Sequence, residues 1–181
     1  MGVSASCVVP LARVCEVNNR TQRCALCQWV ISAGAGGAPS PGDTADSVAA
    51  RRRFLAAGHY QPLRTAVAAL LRELAPASVV DLGCGEGYYT EAMRREVATV
   101  CGVDIAKPAI QLAAKQQKQV TWLVASAALL PFANASVDVV TSLFSPLPVS
   151  EMLRVLTSDG HVLMVTPAPD HLWHLREGLF E

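Results

Sequence analysis

Asp81, Gly83, Gly85 and Gly87 follow one another at two-residue spacing in Val79-Val80-Asp81-Leu82-Gly83-Cys84-Gly85-Glu86-Gly87-Tyr88-Tyr89. An apolar run that breaks into glycines lets the backbone turn tightly and approach a ligand, because no Cβ stands in the way. A helix that follows such a turn offers its free first N–H groups to the same ligand. Tyr88 occupies the place where the dinucleotide fingerprint G-x-G-x-x-G has its last glycine, which disfavours a pyrophosphate. Asp104 lies 17 residues beyond Gly87, at the end of the next apolar run. An acid there can accept hydrogen bonds from both hydroxyls of a ribose, so the ligand is expected to be a nucleoside. Each acid also has a structural role open to it: Asp81 can hold the loop amides and Asp104 can cap a helix. The spacing favours the ligand role.

Six cysteines form the second group with chemistry of its own: Cys7, Cys15, Cys24 and Cys27 crowd the first 27 residues, and Cys84 and Cys101 fall inside apolar runs. This placement does not resemble a secreted disulfide framework. Cys24 and Cys27 have the two-residue gap that aims both thiolates at a tetrahedral zinc ion, but a structural site needs four ligands and a second such pair is missing. Zinc and free thiols both stand open. Met1 to Ser6 fit the myristoylation pattern, a short match that small residues produce by chance. Arg51, Arg52 and Arg53 are either a solvated helix face or a phosphate contact.

These residues need a scaffold, and the chain divides into two parts. Residues 1–42 show no sustained period and end in the Gly- and Pro-rich run Ile31 to Gly42, read as a linker. After this boundary, Asp43 or Asp46 caps a helix through Ala57. Pro62 opens a second helix with Leu63, Val67, Leu70, Leu71 and Leu74 on one stripe, stopped by Pro76. From Ala77 on, short apolar strands alternate with amphipathic helices, the pattern of parallel βαβ units. Strands are expected at 78–82, 99–104, 120–125, 137–143 and 160–166. Helices are expected near 87–97, 107–117 and 148–157, the last ended by Ser158-Asp159-Gly160. The fold class is therefore α/β, a doubly wound, mostly parallel sheet with its ligand site beyond the carboxyl ends of the strands, at 83–89, 104–106, 125–127 and 143–147.

The D-x-G-x-G-x-G turn with an acid at the end of the second strand resembles the class I S-adenosylmethionine-dependent methyltransferases. In that family the glycine loop lies against the methionine portion and the acid holds the ribose, so the resemblance implies S-adenosylmethionine as cofactor. Leu130-Pro131-Phe132 followed by Ser136-Val137-Asp138-Val139-Val140 resembles the family's approach to its fourth strand. Where the family commonly places an Asp toward the adenine amino group, Ser126 is the nearest match.

A closer resemblance covers residues 42–180. Gly42-Asp43-Thr44-Ala45-Asp46-Ser47, Arg52-Arg53-Phe54-Leu55, Gly58-His59-Tyr60-Gln61-Pro62-Leu63, the glycine turn through Thr90, and Thr166-Pro167-Ala168-Pro169-Asp170-His171-Leu172 resemble the bacterial 23S ribosomal RNA guanine-N1 methyltransferases. The resemblance implies that Tyr60, Tyr89, Thr90 and His171 close around the cofactor, beside Asp81, Gly83, Gly85, Gly87, Asp104 and Ser126. Read by themselves, Tyr60 is equally a buried aromatic and His171 a locally satisfied helix-start residue. The resemblance also implies ribosomal RNA as partner, a cytoplasmic location and a homodimer. Cys24 and Cys27 resemble the first half of the family's N-terminal zinc module; its second half has no counterpart between Gln28 and Pro41. The chain ends at Glu181, before the family's last strands, and the expectation is a truncated member with its cofactor half intact.

Methyl transfer from a sulfonium is an in-line displacement in which the protein mainly positions donor and acceptor. The acceptor pocket is expected at Leu143-Phe144-Ser145-Pro146-Leu147, where Phe144 either stacks on a base or belongs to the core. No general base is fixed by spacing, and His59 is a guess. The chain's 15 Lys+Arg against 15 Asp+Glu, with 51% hydrophobic and 17% charged residues, excludes a disordered protein and one steered to polyanions by its overall charge. No apolar run approaches the roughly 20 residues of a membrane span, and a soluble intracellular protein is expected. A small-molecule methyltransferase and a non-catalytic cofactor binder are the alternatives to an RNA enzyme.

Overall fold

The computed structural model describes residues 22–23, 29–31 and 42–168. Among them, seven strands form one sheet: β1 (Gln22–Arg23), β2 (Trp29–Ile31), β3 (Ser78–Leu82), β4 (Thr99–Asp104), β5 (Thr121–Val124), β6 (Val137–Leu143) and β7 (Leu156–Val165). Their spatial order is β1-β2-β5-β4-β3-β6-β7, and every pairing is parallel except β1 with β2. All five residues of β3 are buried, as expected of a parallel strand covered on both faces. Successive residues then serve opposite cores: Val79 packs with Val67, Leu71, Met93, Val97 and Ile110, and Val80 packs with Val103, Leu123, Phe132, Met152 and Val155.

The helices follow from this division. α1 (Ala45–Ala56) packs through Val48 on Ala106 and Ala109. α2 (Gln61–Leu74), α3 (Tyr88–Glu96) and α4 (Lys107–Gln116) cover the first face of the sheet, and α5 (Val149–Val155) covers the second. Helices on both faces of a mostly parallel sheet make the α/β doubly wound architecture expected from the sequence. No helix among the described residues is long and apolar enough to cross a membrane.

Local departures have physical causes. Thr44, not Asp43 or Asp46, caps α1: its Oγ1 accepts from the Ser47 amide at 3.2 Å, Asp46 falls in the first turn, and Asp43 pairs with Arg51. Of the α2 stripe, Val67 and Leu71 are buried and Leu63 packs against them, but Leu70 and Leu74 stand 43% and 40% exposed because the stripe is wider than the covered face. The helix before the last strand ends at Val155, not at Ser158-Asp159-Gly160. Leu156 is already extended and pairs with Val137, and the register then jumps so that Val139 faces His161. Residues 157–160 are the bulge that absorbs the jump. β1 and β2 lie in the stretch read as irregular; at two and three residues they are too short to show alternation. Cys24, Cys27 and His171 lie outside the described residues.

Candidate functional site

The chain runs outward from β3 to β4 to β5 and then returns to the other side of β3 with β6. The carboxyl end of β3 therefore lies at the reversal of strand order, the place where an open α/β sheet forms its ligand crevice. A cleft of about 760 Å³ opens there. Its floor is the glycine turn, one wall carries Asp104, Ile105 and Ala125 to Ala128, and the opposite wall is Leu143 to Pro148. Arg51, Phe54 and Leu55 of α1, with Tyr60 at the start of α2, form the roof.

The turn is held rigid by the strand next to it. The Gly83 and Cys84 amides donate to the Val103 carbonyl at 2.8 and 3.1 Å, and the Gly85 amide donates to Asp104 Oδ2 at 2.9 Å. Asp104 Oδ1 accepts from the Ala106 amide at 2.7 Å, so each carboxylate oxygen keeps one lone pair for a ligand hydroxyl. Gly85 has φ +56, and a Cβ built on it would meet only Arg51 Nη1 at 3.7 Å. Gly87 serves packing instead: a Cβ there would lie 2.6 Å from the ring of Trp122, whose fully buried indole passes under the turn.

Of the residues expected to hold a cofactor, Tyr60, Gly83, Gly85, Tyr89, Asp104 and Ser126 line this cleft. Asp81, Gly87 and Thr90 lie beneath it. Asp81 is buried and accepts from Thr90 Oγ1 at 2.6 Å and Thr141 Oγ1 at 2.8 Å, bracing the turn from below. Burial pushes its carboxyl up to about 6, against the pull of these two hydroxyls. Ser126 Oγ accepts from the Ala128 amide at 3.2 Å and keeps its proton for another acceptor. Burial pushes the Tyr89 phenol up to about 12, so it is neutral at physiological pH. Cys84 and Cys101 are buried free thiols pushed up by desolvation, unreactive in this state.

Phe144 sits just past β6 with φ +55, a conformation that costs a non-glycine residue energy and that concentrates at functional sites. Its half-exposed ring meets Tyr60 edge-on, with centroids 5.8 Å apart at 90°. Tyr60 in turn packs on Phe54 at 5.8 Å. These three aromatics make an apolar mouth to the cleft. His59 is exposed, lies with its ring centroid 5.6 Å from that of Phe54, and is not among the residues that line the cleft.

Two lining residues escaped the sequence reading of the cofactor site. Glu86 is buried and its Oε1 has no hydrogen-bond partner; the Tyr89 hydroxyl is also buried and unpartnered. Arg51 reaches over Gly85 and pairs with Asp43. A charged residue inside a glycine turn is the available signal for Glu86, but its burial is visible only in the folded chain.

Comparison with known proteins agrees with this geometry. Residues 80–164 match the family model described as a methyltransferase domain. A Micromonospora griseorubida protein provisionally named a 23S rRNA (guanine-N(1)-)-methyltransferase is 37% identical over 84% of this chain and 58% of its own length. The 23S rRNA (guanine(748)-N(1))-methyltransferase of Streptomyces fradiae is 35% identical over 76% of this chain and 51% of its own. The malonyl-[acyl-carrier protein] O-methyltransferase of Hahella chejuensis is 31% identical over 72% and 51%. The chain thus spans about half the length of the curated relatives it matches. Among solved structures, a Haloferax volcanii protein in complex with the Trm112 methyltransferase activator superposes with a TM-score of 0.57 at 25% identity, covering 77% of this chain and 68% of that one.

Proposed function

Starting from a chain that carries the methyltransferase domain and resembles the class I S-adenosylmethionine-dependent methyltransferases, we propose that it transfers a methyl group from S-adenosylmethionine to N1 of a guanine in 23S ribosomal RNA. The observation that carries the reading is the glycine turn tied to Asp104 at the carboxyl end of β3, with free lone pairs on that acid and open space above Gly85. The residues fit the cofactor: Asp104 for the ribose hydroxyls, Ser126 on the adenine side, the turn for the methionine portion, and Tyr60 and Tyr89 at its flanks. When bound, the sulfonium supplies an activated methyl group. The chain's own part is to orient and to exclude water. Asp81, held between Thr90 and Thr141, fixes the turn from beneath, and Asp104 fixes it from the side.

The acceptor enters on the side of the aromatic mouth. Phe144, set in a strained backbone, and Phe54, exposed on α1, are placed to lie against a planar ring, which is how unpaired bases are held. Residues 43–181 act here as the cofactor-binding domain, in the cytoplasm.

Incubation with labelled S-adenosylmethionine and 23S ribosomal RNA tests the reading. Label is expected to appear at N1 of guanine, and Gly85→Arg, which fills the space over the turn, is expected to abolish it. Label on a small carboxylic acid or an acyl-carrier conjugate, with none on RNA, would favour a second reading: a small-molecule methyltransferase, supported by the zero net charge and the O-methyltransferase relative.

A further inference from the structure

The chain's formal charges cancel over its whole length, but its cations are not all cancelled where they stand. Arg52 and Arg53 of α1, Lys115 in the last turn of α4 and Lys118 two residues past its end are exposed, and none of them enters an ion pair with a described residue. Packing brings the cations of the two helices together. α1 lies on α4 through Val48, against Ala106 and Ala109. One turn further along α1, the Gln116 side-chain oxygen at the end of α4 accepts from Arg52 Nη1 at 2.9 Å and Nη2 at 3.3 Å. Just beyond, the Gln119 carbonyl accepts from Arg94 Nε at 3.2 Å, which brings in a cation from α3. No Asp or Glu occurs from Ile105 to Gln119, whereas from Val137 to Val165 Asp138, Glu151 and Asp159 stand against Arg154 alone. The zero net charge is thus the sum of a basic flank and an acidic one.

We propose that the surface shared by α1 and the end of α4, carrying Arg52, Arg53, Lys115 and Lys118, seats the phosphate backbone of a single-stranded RNA segment that leads into the aromatic mouth of the cleft. The assignment rests on the RNA reading above and deepens it by giving the substrate a path across the protein. The same helix that carries Arg52 and Arg53 lines the cleft with Arg51, Phe54 and Leu55, so the basic surface and the mouth are continuous. α4 extends the surface by about 15 Å, its 10 residues rising about 1.5 Å each. Cations with no acid beside them gain most from a polyanion, and a basic track that runs up to exposed rings is how single strands are held without a sequence requirement. An acceptor small enough to lie within the cleft would reach none of the four. Lys115 and Arg53 also suit the negative ends of their own helices, a role that would serve stability alone and that leaves Arg52 and Lys118 unexplained.

Fluorescence anisotropy with a labelled single-stranded fragment of 23S ribosomal RNA, titrated at several salt concentrations, tests the path. Each phosphate neutralised on a single strand adds about 0.7 to the slope of log affinity against log salt. The variant Arg52→Gln, Arg53→Gln, Lys115→Gln, Lys118→Gln is therefore expected to lose about 3 from that slope, and to bind the RNA about tenfold or more weaker at low salt. Its affinity for S-adenosylhomocysteine, the demethylated form of the cofactor, is expected to stay within about twofold, since none of the four lines the cleft. Arg72→Gln with Arg95→Gln, which removes two exposed but ion-paired cations, is expected to keep the native slope. A native slope in the fourfold variant, or an equal loss in the control, would overturn the path while leaving the RNA reading in place. A native chain that binds S-adenosylhomocysteine but no RNA at any salt concentration would remove the RNA reading, and the path with it. Preference for an acidic acyl-carrier protein over RNA, lost in the fourfold variant, would overturn RNA as the occupant. Should the fourfold variant fail to fold, Lys115→Gln with Lys118→Gln decides the matter, with about half the loss of slope expected.

Discussion

The Asp81 carboxyl lies under the glycine turn with two hydroxyls as its partners and no compensating cation among its hydrogen bonds. Burial outweighs those bonds and pushes it up to about 6. The folded chain thus binds a proton at this site at pH values where the unfolded chain, titrating near 4, has lost it. Stability from this group is complete below about pH 4 and is lost as pH rises through about 6, a difference on the order of 3 kcal/mol. Asp81→Asn, which cannot ionise, is expected to gain up to that amount relative to the native chain between pH 4 and pH 7. Urea unfolding at the two pH values measures it; parallel profiles would show that Asp81 does not titrate in this range. The position of Asp81 at a strand end was legible in the sequence, but its partners were not. Thr141 lies 60 residues away and meets it only because β6 pairs with β3, placing Asp81 opposite Thr141. The same holds for the burial of Glu86, which no local sequence feature reports.

At the scale of elements, apolar runs and their breakers reported most of the fold. β3, β4 and β6 begin and end where hydrophobic stretches do, since buried parallel strands need continuous apolar sequence. The end of α5 was not legible, because it is fixed by a tertiary clamp and not by Ser158-Asp159-Gly160. Arg154 of α5 donates to both Glu151 oxygens, to the carbonyls of Leu130 and Phe132, and to Asn134 Oδ1, all within 3.0 Å. Glu151 in turn accepts from the Leu130 amide at 2.8 Å. This fork ties the loop after β5 to the helix on the far side of the cleft wall. Arg154→Ala is expected to cost about 2–3 kcal/mol in urea unfolding, and Arg154→Lys to recover little of it, since an ammonium has no fork. Full recovery by Lys would show that charge alone, and not the geometry of the clamp, holds the loop.

At the scale of the whole molecule, the cleft draws on residues from Gly42 to Pro148, contributed by α1, the start of α2, and the segments after β3, β4, β5 and β6. No local segment contains the site, so a ligand that fills it binds only the assembled fold. Such a ligand stabilises by mass action: at a hundredfold excess over its dissociation constant, about 2.7 kcal/mol. For a chain of 181 residues, that corresponds to a rise of about 5–10 °C in the unfolding midpoint. S-adenosylhomocysteine at that excess is therefore expected to move one cooperative transition upward by this amount. Because the chain's formal charges balance and the ligand carries no net charge, raising the salt concentration is expected to change the shift little. A transition that splits, with only its upper part moved, would mean that α1 and α2 unfold apart from the sheet and that the roof of the cleft does not take part in binding. An unmoved midpoint would remove the nucleoside site altogether.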